Sequence, residues 1–277
     1  MAQISDLIIF SDGWIDAESQ IDVLMVREYI AGISGFNSLR IYESNINKGL
    51  ANSIIEGVSA ILNEYQCCIV LEDDLIVSSN FLDFMNQGLN YYQNNEKVIS
   101  ICGYSPLIDS TEDVYFTQRS SSWGWATWSN RWDRVDWDCR YYNSFKYNIF
   151  KKIQFNKMGS DLSWMLMKQM NGNINSWAIR FCFHQFQNSL YSIHPTISKI
   201  ENIGIAHYNA TNTYKSFNRF KSKFDITHKV NFQFKSQVKL ESTIISQFVK
   251  VNSIKARILN KILLIIERIN SICRLNE

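Results

Sequence analysis

Apolar and polar residues follow two different periods in the first part of the chain. Short apolar or alternating runs predict strands, and segments with apolar side chains three and four residues apart predict helices. The predicted strands are DLIIFS (6–11), NSLRIYE (37–43), CCIVL (67–71) and VISICGY (98–104). The predicted helices between them cover residues 17–32, 48–65 and 80–92. Because strands and helices alternate as in βαβ units, we expect an α/β fold with a mostly parallel sheet flanked by helices.

Polar segments follow the first three predicted strands, namely SDG (11–13), ESNINKG (43–49) and EDD (72–74). Ligands bind at the carboxyl ends of the strands in such sheets, so we expect these three segments to line one crevice. The sequence contains neither a GxGxxG motif nor a P-loop lysine motif. A dinucleotide fingerprint or a Walker-type phosphate site is therefore not indicated.

The pattern changes after about residue 115, where the chain becomes rich in aromatic residues. RSSSWGWATWSNRWDRVDWD (119–138) is the extreme case. Further on, SDLSWMLMKQM (160–170) predicts a helix and SWAIRFCF (176–183) predicts a strand. Residues 252–270 predict a helix with isoleucines on one face and most of its lysines and arginines off that face.

Charge is distributed unevenly along the 277 residues. Residues 1–213 carry 15 Lys and Arg against 22 Asp and Glu, whereas residues 214–277 carry 13 against 4. We expect one domain over 1–213 and a basic, partly helical C-terminal extension over 214–277. The six cysteines form no CxxC pair, which favours the reduced thiols of a cytosolic protein. Neither a secretory leader nor a membrane-spanning apolar stretch is indicated.

The three adjacent carboxylates of EDD allow two interpretations. In extended backbone Glu72 and Asp74 point one way and Asp73 the other. Their mutual repulsion is relieved most simply by a divalent cation, and Mg²⁺ in particular is commonly held by one or two carboxylates together with substrate phosphates. The crevice would then hold a metal-bound phosphate ester. Alternatively, EDD is a solvated loop before a helix that Ser78 or Ser79 caps.

The order of several motifs resembles a known family. EDDL after an apolar strand is followed by SSWGWATWSNRW, SDLSWML, SWAIRFCF and HPTISKIENIGIAH. This series is similar to the nucleotide-sugar glycosyltransferases of the GT-A fold, and within them to a bacterial surface-polysaccharide group related to the N-acetylglucosaminyltransferase I family. The resemblance covers about residues 6–213. It implies a Rossmann-like GT-A domain with a nucleotide-binding half at about 1–105 and an acceptor half at about 106–213.

The sequence departs from the family at its start. Family members ordinarily have a strand and a helix before the SDG strand, and that first strand also holds the nucleotide. We therefore expect either a start upstream of the given sequence or a sheet that lacks its usual first strand. Of the two we favour a truncated start, which would place the activity of this exact chain in doubt.

The resemblance assigns roles to individual residues. EDD matches the family's DxD-type signature, so Asp74 would bind Mn²⁺ (or Mg²⁺). Glu72 and Asp73 would contact the donor sugar and ribose or the water around the metal, and Asp12 would hold the base of the nucleotide. The other positions that match the donor site are Asn47, Lys48, Gly49, Trp123, Gly124, Trp125 and His207.

Several of these residues also have ordinary structural explanations. Asp12 precedes a glycine, as in a common Asp-Gly turn, and Asn47 fits a helix cap. Of Trp123 and Trp125, we expect one in the core and the other at the site, with the intervening glycine allowing a ligand to approach the backbone. A single histidine such as His207 is usually structural.

An inverting transfer needs a base that takes the proton of the acceptor hydroxyl while a metal stabilises the departing diphosphate. In the family this base lies in an aspartate-containing segment that enters a helix. GSDLSWML matches that segment, which makes Asp161 the candidate. Ser160 or Asp161 fits an N-cap equally well.

The function that the resemblance implies is a metal-dependent inverting glycosyltransferase, a hexosyl- or N-acetylhexosaminyltransferase. It would move a sugar from a nucleotide sugar, most simply a UDP-sugar, to a saccharide or lipid-linked saccharide in surface polysaccharide synthesis. A carbohydrate- or nucleotide-binding relative without turnover and a metal-dependent phosphoesterase are the alternatives. No nucleic-acid partner is indicated.

The basic helix at 252–270 has two interpretations of its own. Isoleucines on one side and cations on the others suit a cytoplasmic protein that contacts the inner face of the plasma membrane. The alternative is a helix packed on the catalytic domain or on a partner chain, with a solvated basic face.

Overall fold

The computed structural model describes residues 1–204 and 219–263 and has an α/β fold. The strands are β1 (Asp6–Ser11), β2 (Ser38–Glu43), β3 (Cys67–Val70), β4 (Leu75–Val77), β5 (Val98–Cys102), β6 (Val114–Thr117), β7 (Trp125–Trp128), β8 (Tyr191–Pro195) and β9 (Ile200–Asn202). The α-helices are α1 (Ala17–Ala31), α2 (Leu50–Leu62), α3 (Phe81–Tyr92), α4 (Ser129–Trp132), α5 (Tyr142–Phe145), α6 (Ile149–Phe155), α7 (Leu162–Met170), α8 (Trp177–Gln187) and α9 (Ser242–Phe248). Residues 254–263 are also helical. The α/β class is confirmed. The four strands predicted from periodicity are also confirmed, as β1, β2, β3 and β5, and so are the three helices predicted between them, as α1, α2 and α3.

The strands form mixed sheets rather than one mostly parallel sheet. β1 pairs with β2 in a parallel sheet of two strands. A five-stranded sheet has the order β3-β7-β5-β8-β6, in which only β5 and β8 are parallel neighbours. β4 and β9 form an antiparallel pair. The expectation of a mostly parallel arrangement fails because β7, from the aromatic-rich segment, runs antiparallel between β3 and β5.

The predicted strand SWAIRFCF is wrong, because these residues belong to α8. The side chain of Ser176 accepts a hydrogen bond from the Ile179 backbone N–H and caps the helix at its start. Most side chains of α8 are buried, including Trp177 and Phe181. A helix buried on nearly all sides has no polar face, so its apolar run cannot be distinguished from a buried strand by periodicity alone.

The first two helices bury different fractions of their apolar residues. In α2, Val58 and Leu62 are buried against the sheet, as their spacing predicts. In α1, by contrast, Leu24, Met25 and Tyr29 are exposed. Helix α1 begins with a capping box in which Asp16 and Ser19 exchange hydrogen bonds. The helix begins at Ala17 and ends at Ala31, close to the predicted bounds of 17–32, although its apolar face lies on the solvent side.

Residues 219–252 share the core of the main domain. Phe220, Phe232 and Phe234 pack on a cluster centred on α3, β5 and β8. The buried side chains of Lys199 and Asp225 form an ion pair, and Asn80 also donates to Asp225. Residues 219–252 are therefore held to the domain by apolar contacts and by a buried charge pair, and a boundary near residue 213 does not separate two cores.

Two glycines allow three elements to meet. The Gly103 N–H donates to the Gly124 carbonyl at 2.6 Å, and the Lys199 N–H donates to the Gly103 carbonyl at 2.8 Å. A Cβ on Gly124 would lie 2.6 Å from Ile200 Cδ1, and one on Gly103 would lie 2.9 Å from Ile200 Cγ1. We call this the glycine–Ile200 contact. It fixes the end of β5, the start of β7 and β9 in one place.

We predict that Gly124→Ala destabilises the protein more than Gly172→Ala. Both glycines have positive φ, at 59° and 71°, so either alanine costs about 1–2 kcal/mol in backbone strain. Nothing lies within 4 Å of a Cβ at Gly172, whereas at Gly124 Ile200 must also be displaced, which costs a further ~1–3 kcal/mol. Urea unfolding of both variants measures the difference. Equal decreases in the free energy of unfolding of the two variants would show that the glycine–Ile200 contact is not tightly packed.

Candidate functional site

The EDD segment forms a turn between β3 and β4. Glu72 and Asp74 are half-buried and Asp73 is exposed. The exposure alternates as expected, although Asp73 and Asp74 lie in a turn rather than in an extended strand. Asp74 Oδ2 accepts a hydrogen bond from the Asn202 side chain at 3.0 Å. Its other oxygen, Oδ1, is buried and has no hydrogen-bond partner among the described residues. A Cβ at Gly204 would lie 2.4 Å from Asp74 Oδ2, so the chain encloses this carboxylate closely.

Glu72 shows the electrostatic effect of this crowding. Burial raises the pKa of Glu72, and the neighbouring charges of Asp74 and Asp73 raise it further, to about 7. A carboxyl with this pKa is partly protonated at neutral pH. A nearby cation would favour its ionised form.

The residues present suit a cation only in part. Asp74 Oδ1 is a hard oxygen atom with no hydrogen-bond partner among the described residues, and it is the type of group that Mg²⁺ and Mn²⁺ prefer. Within residues 1–204 and 219–263, however, no group of three or more His, Cys, Asp or Glu side chains is arranged to hold a metal. A cation at Asp74 would therefore need further ligands from a substrate or from water.

A small cavity of about 130 Å³ lies beside this turn. Its walls are formed by Tyr104, Trp123, Glu201, Asn202, Phe220, Lys221 and Ser222. The Trp123 ring meets the Tyr104 ring edge-on, with centroids 4.6 Å apart, and the Phe220 ring in a similar way at 5.3 Å. Asn202 contributes both to the wall of the cavity and to the hydrogen bond with Asp74, so this residue links the cavity to the EDD turn.

The WGW motif divides between the site and the core. Trp123 lines the cavity. Trp125 is 1% exposed and stacks on Trp132 and Trp177. Trp125 is therefore a core residue, and its assignment to the donor site is corrected. Gly124 faces Ile200 in the glycine–Ile200 contact, so its missing side chain makes room for the protein itself rather than for a ligand.

Asp12, Asn47, Lys48 and Gly49 lie together at a second place. Asp12 accepts hydrogen bonds from the backbone N–H groups of Gly13, Lys48 and Gly49, each at 2.9 Å. Asn47 donates to the Gly13 carbonyl at 2.8 Å. Burial raises the pKa of Asp12, but these backbone hydrogen bonds outweigh it and hold the pKa below its usual value.

These contacts bring two of the three predicted crevice segments together. The loops after β1 and β2 are joined through Asp12, whose two oxygens are both already hydrogen-bonded. Within the described parts of the chain, no hydrogen bond or ion pair joins these loops to the EDD turn. The structure therefore does not link them to the third segment.

Asp161 is engaged in a buried ion pair. Its two oxygens accept hydrogen bonds from both terminal nitrogens of Arg119, at 2.8 and 2.9 Å. Burial alone would raise the pKa of Asp161, but the Arg119 charge and hydrogen bonds lower it below the usual value. Asp161 stands at the N-cap of α7, yet its side chain makes no capping hydrogen bond. A carboxylate held in this way is a weaker base than an unpaired one.

Sequence reasoning missed several residues that line the cavity. Glu201 places a carboxylate in its wall, and Tyr104 and Phe220 form its aromatic side with Trp123. Glu201 lies within the motif HPTISKIENIGIAH, but its position depends on the pairing of β9 with β4, which no local pattern shows. His207 lies outside the described residues.

Comparisons with known proteins do not assign the chain to a family. No protein-family model matches the chain, and no curated protein is significantly similar to it. Among the described residues, no helix is long and apolar enough to cross a membrane. The geometry of the EDD turn and its cavity is therefore the basis for a functional hypothesis.

We predict that Asp161→Asn destabilises the protein strongly near neutral pH, by about 3–5 kcal/mol, because Arg119 is left buried without its counter-charge. The folded-state pKa of Asp161 lies below its unfolded value, so its stabilising contribution is fully present above about pH 4 and is lost as the pH falls further. Urea unfolding should therefore show that the difference in free energy of unfolding between wild type and variant becomes smaller as the pH falls from 7 to 3. The matched control is Asp133→Asn at an exposed position, which should change stability by less than about 0.5 kcal/mol. A difference that stays constant with pH would contradict the ion-pair assignment.

Proposed function

We propose that the protein is a metal-dependent inverting glycosyltransferase that takes a sugar from a nucleotide sugar, most simply a UDP-sugar. The acceptor would be a hydroxyl of a saccharide or of a lipid-linked saccharide in surface polysaccharide synthesis. The observation that carries the proposal is the buried Oδ1 of Asp74, which has no hydrogen-bond partner among the described residues, on a carboxylate that Asn202 joins to a cavity with aromatic walls. A metal-bound diphosphate sugar would need an oxygen ligand of this kind, together with space beyond the cavity of about 130 Å³.

In this proposal each residue of the site has a separate task. Asp74 would hold Mn²⁺ or Mg²⁺, and Asn202 would fix the orientation of its carboxylate. The metal, when bound, stabilises the negative charge of the departing diphosphate. Trp123, which is half-buried and braced by the buried Tyr104, would offer the ring surface against which the apolar face of a sugar packs.

Two carboxylates are candidates for the base that takes the acceptor proton. Asp161 is the candidate from the resemblance, but Arg119 occupies both of its oxygens and lowers its pKa. Glu201 lies in the wall of the cavity and forms no ion pair with the described residues. A base must reach the proton that it abstracts, so we favour Glu201 for this role.

A binding protein without turnover is the second candidate. Both oxygens of Asp12 are hydrogen-bonded to backbone N–H groups, and Asp161 is held by Arg119. The cavity of about 130 Å³ is also smaller than the roughly 300–1,000 Å³ typical of ligand pockets. A phosphoesterase is less favoured, since the described residues hold no metal-ligand cluster from which a two-metal site could be built.

We predict that Mn²⁺ stabilises the wild-type protein through Asp74. At a Mn²⁺ concentration about 100 times the dissociation constant, the stabilisation should be about 2.7 kcal/mol, which is a rise of several degrees in Tm. Asp74→Asn should abolish the rise, whereas Asp73→Asn, which removes the same charge at an exposed position, should retain most of it. Differential scanning fluorimetry with and without Mn²⁺ measures this. An equal response of both variants would remove Asp74 as the ligand.

We predict that Glu201→Gln lowers kcat by roughly 10²–10⁴-fold in assays with UDP-, GDP- and dTDP-sugars, while the Mn²⁺-induced rise in Tm persists. The loss reflects the missing base, and the persisting rise shows an intact metal site. The matched variant is Asp161→Asn, scored per folded molecule. If Asp161→Asn loses turnover and Glu201→Gln does not, Asp161 is the base. If wild type binds Mn²⁺ and nucleotide but turns over no donor, the protein is a binding relative.

A further inference from the structure

Three helices lie side by side on one part of the surface. Helices α6 and α7 are joined where the Ser163 N–H donates to Asn156 Oδ1, at 2.9 Å. The helix at 254–263 reaches α7 through Arg257, which donates to the Ser160 carbonyl at 3.1 Å and lies 5.7 Å from the centroid of the Trp164 ring. We call the outer surface of α6, α7 and residues 254–263 the three-helix face.

The three-helix face exposes large apolar side chains on every one of its helices. Phe150, in α6, is 76% exposed, and its neighbours Ile149 and Ile153 are exposed as well. Trp164 is 44% exposed in α7, and Ile254 and Ile258 are 64% and 53% exposed in the third helix. Exposed apolar side chains on three adjoining helices indicate an interaction surface, because single exposed residues are common but groups of them are not.

The charge around these side chains has a single sign. Residues 139–200 contain eight Lys and Arg against Asp161, which is paired with Arg119. Three of these cations, Lys151, Lys152 and Lys168, lie in α6 and α7, which contain no acidic residue. Residues 242–263 contain four Lys and Arg and no acidic residue. Lys151 and Lys152 stand between the apolar residues of α6, so the partner of this face should be apolar in its interior and negatively charged at its surface.

The exposed face of α1 offers a comparison within the same molecule. Leu24, Met25 and Tyr29 are at least half exposed there, as on the three-helix face. Helix α1, however, carries Glu18, Asp22 and Glu28 together with a single cation, Arg27, which is buried. The two faces therefore match in apolar exposure and differ in the sign of their charge.

We propose that the three-helix face docks on an anionic lipid bilayer, with its aromatic and aliphatic side chains in the headgroup region and its lysines on the lipid phosphates. Amphipathic helices with large apolar residues and surrounding lysines bind bilayers in this way. A second copy that presents the same face is a poorer partner, because two basic faces repel each other, and a copy that presents its acidic α1 face would appear as a dimer in light scattering. The docking involves α6 and α7 as well as the C-terminal helix, and it does not depend on the proposed glycosyl transfer.

The test is cosedimentation of the full chain with vesicles of phosphatidylglycerol and phosphatidylcholine, or of phosphatidylcholine alone. Binding should be strong only to the anionic vesicles. The combined variant Ile149→Ser, Phe150→Ser and Ile153→Ser should lower the partition coefficient at least tenfold, and Lys151→Gln with Lys152→Gln on the order of tenfold. The control, Leu24→Ser, Met25→Ser and Tyr29→Ser in α1, should bind as wild type does.

Three results would overturn the proposal. They are failure of the wild type to bind anionic vesicles, equal loss of binding in the α1 control, and equal binding to uncharged vesicles. Thermal unfolding of each variant shows whether it is folded, and the two lysine substitutions lie on the surface, so they keep the test decisive if the apolar variant is unstable. If light scattering instead shows a dimer that the α6 variant dissolves, the face binds protein rather than lipid.

Discussion

The glycine–Ile200 contact is the constraint on which the candidate site depends. Because neither Gly103 nor Gly124 has a side chain, Ile200 approaches both backbones, and the ends of β5, β7 and β9 lie against one another. Trp123 precedes this contact and faces the cavity, whereas Trp125 follows it and points into the core. Asn202, two residues beyond Ile200, thereby reaches Asp74. One steric fit thus decides which tryptophan lines the site and what holds the acidic turn.

Two carboxyl groups of the protein, Glu72 and Asp161, have pKa values that their neighbours shift in opposite directions. The pKa of Glu72 rises to about 7 through burial and two nearby negative charges. The pKa of Asp161 is lowered, against the effect of burial, by the guanidinium of Arg119. Pairs of carboxyl groups with pKa values shifted apart commonly separate a proton-carrying role from a charge-holding one. Here Asp161 has the character of a charge anchor, and the acidic turn has that of a site that gains from a cation.

The sequence predicted the local structure well and the tertiary pairing poorly. The bounds of β1, β2, β3 and α3 follow from periodicity, since each element has one buried face or is a short apolar run. The error at α8 arises because the helix is buried on nearly all sides. The antiparallel β7, the ion pair of Asp161 with Arg119, and the place of Glu201 in the cavity depend on residues far apart in the chain. No local pattern contains that information. The EDD segment, by contrast, could be singled out from the sequence, because three charges directly after an apolar strand are a local signal.

Residues of like charge from separate segments of the chain lie together on one surface of the folded protein. The sequence suggested an acidic body and a basic tail after residue 213, but the basic stretch already begins at residue 139, and it meets the C-terminal helix on the three-helix face. The EDD turn has the opposite sign, although the substrate that we propose for it is an anion. An anionic donor would be repelled by Glu72, Asp73 and Asp74 unless a cation reversed the local charge. Within the proposed function, a divalent metal held by Asp74 would supply that positive charge, and this electrostatic argument supports the proposal without any resemblance to a family.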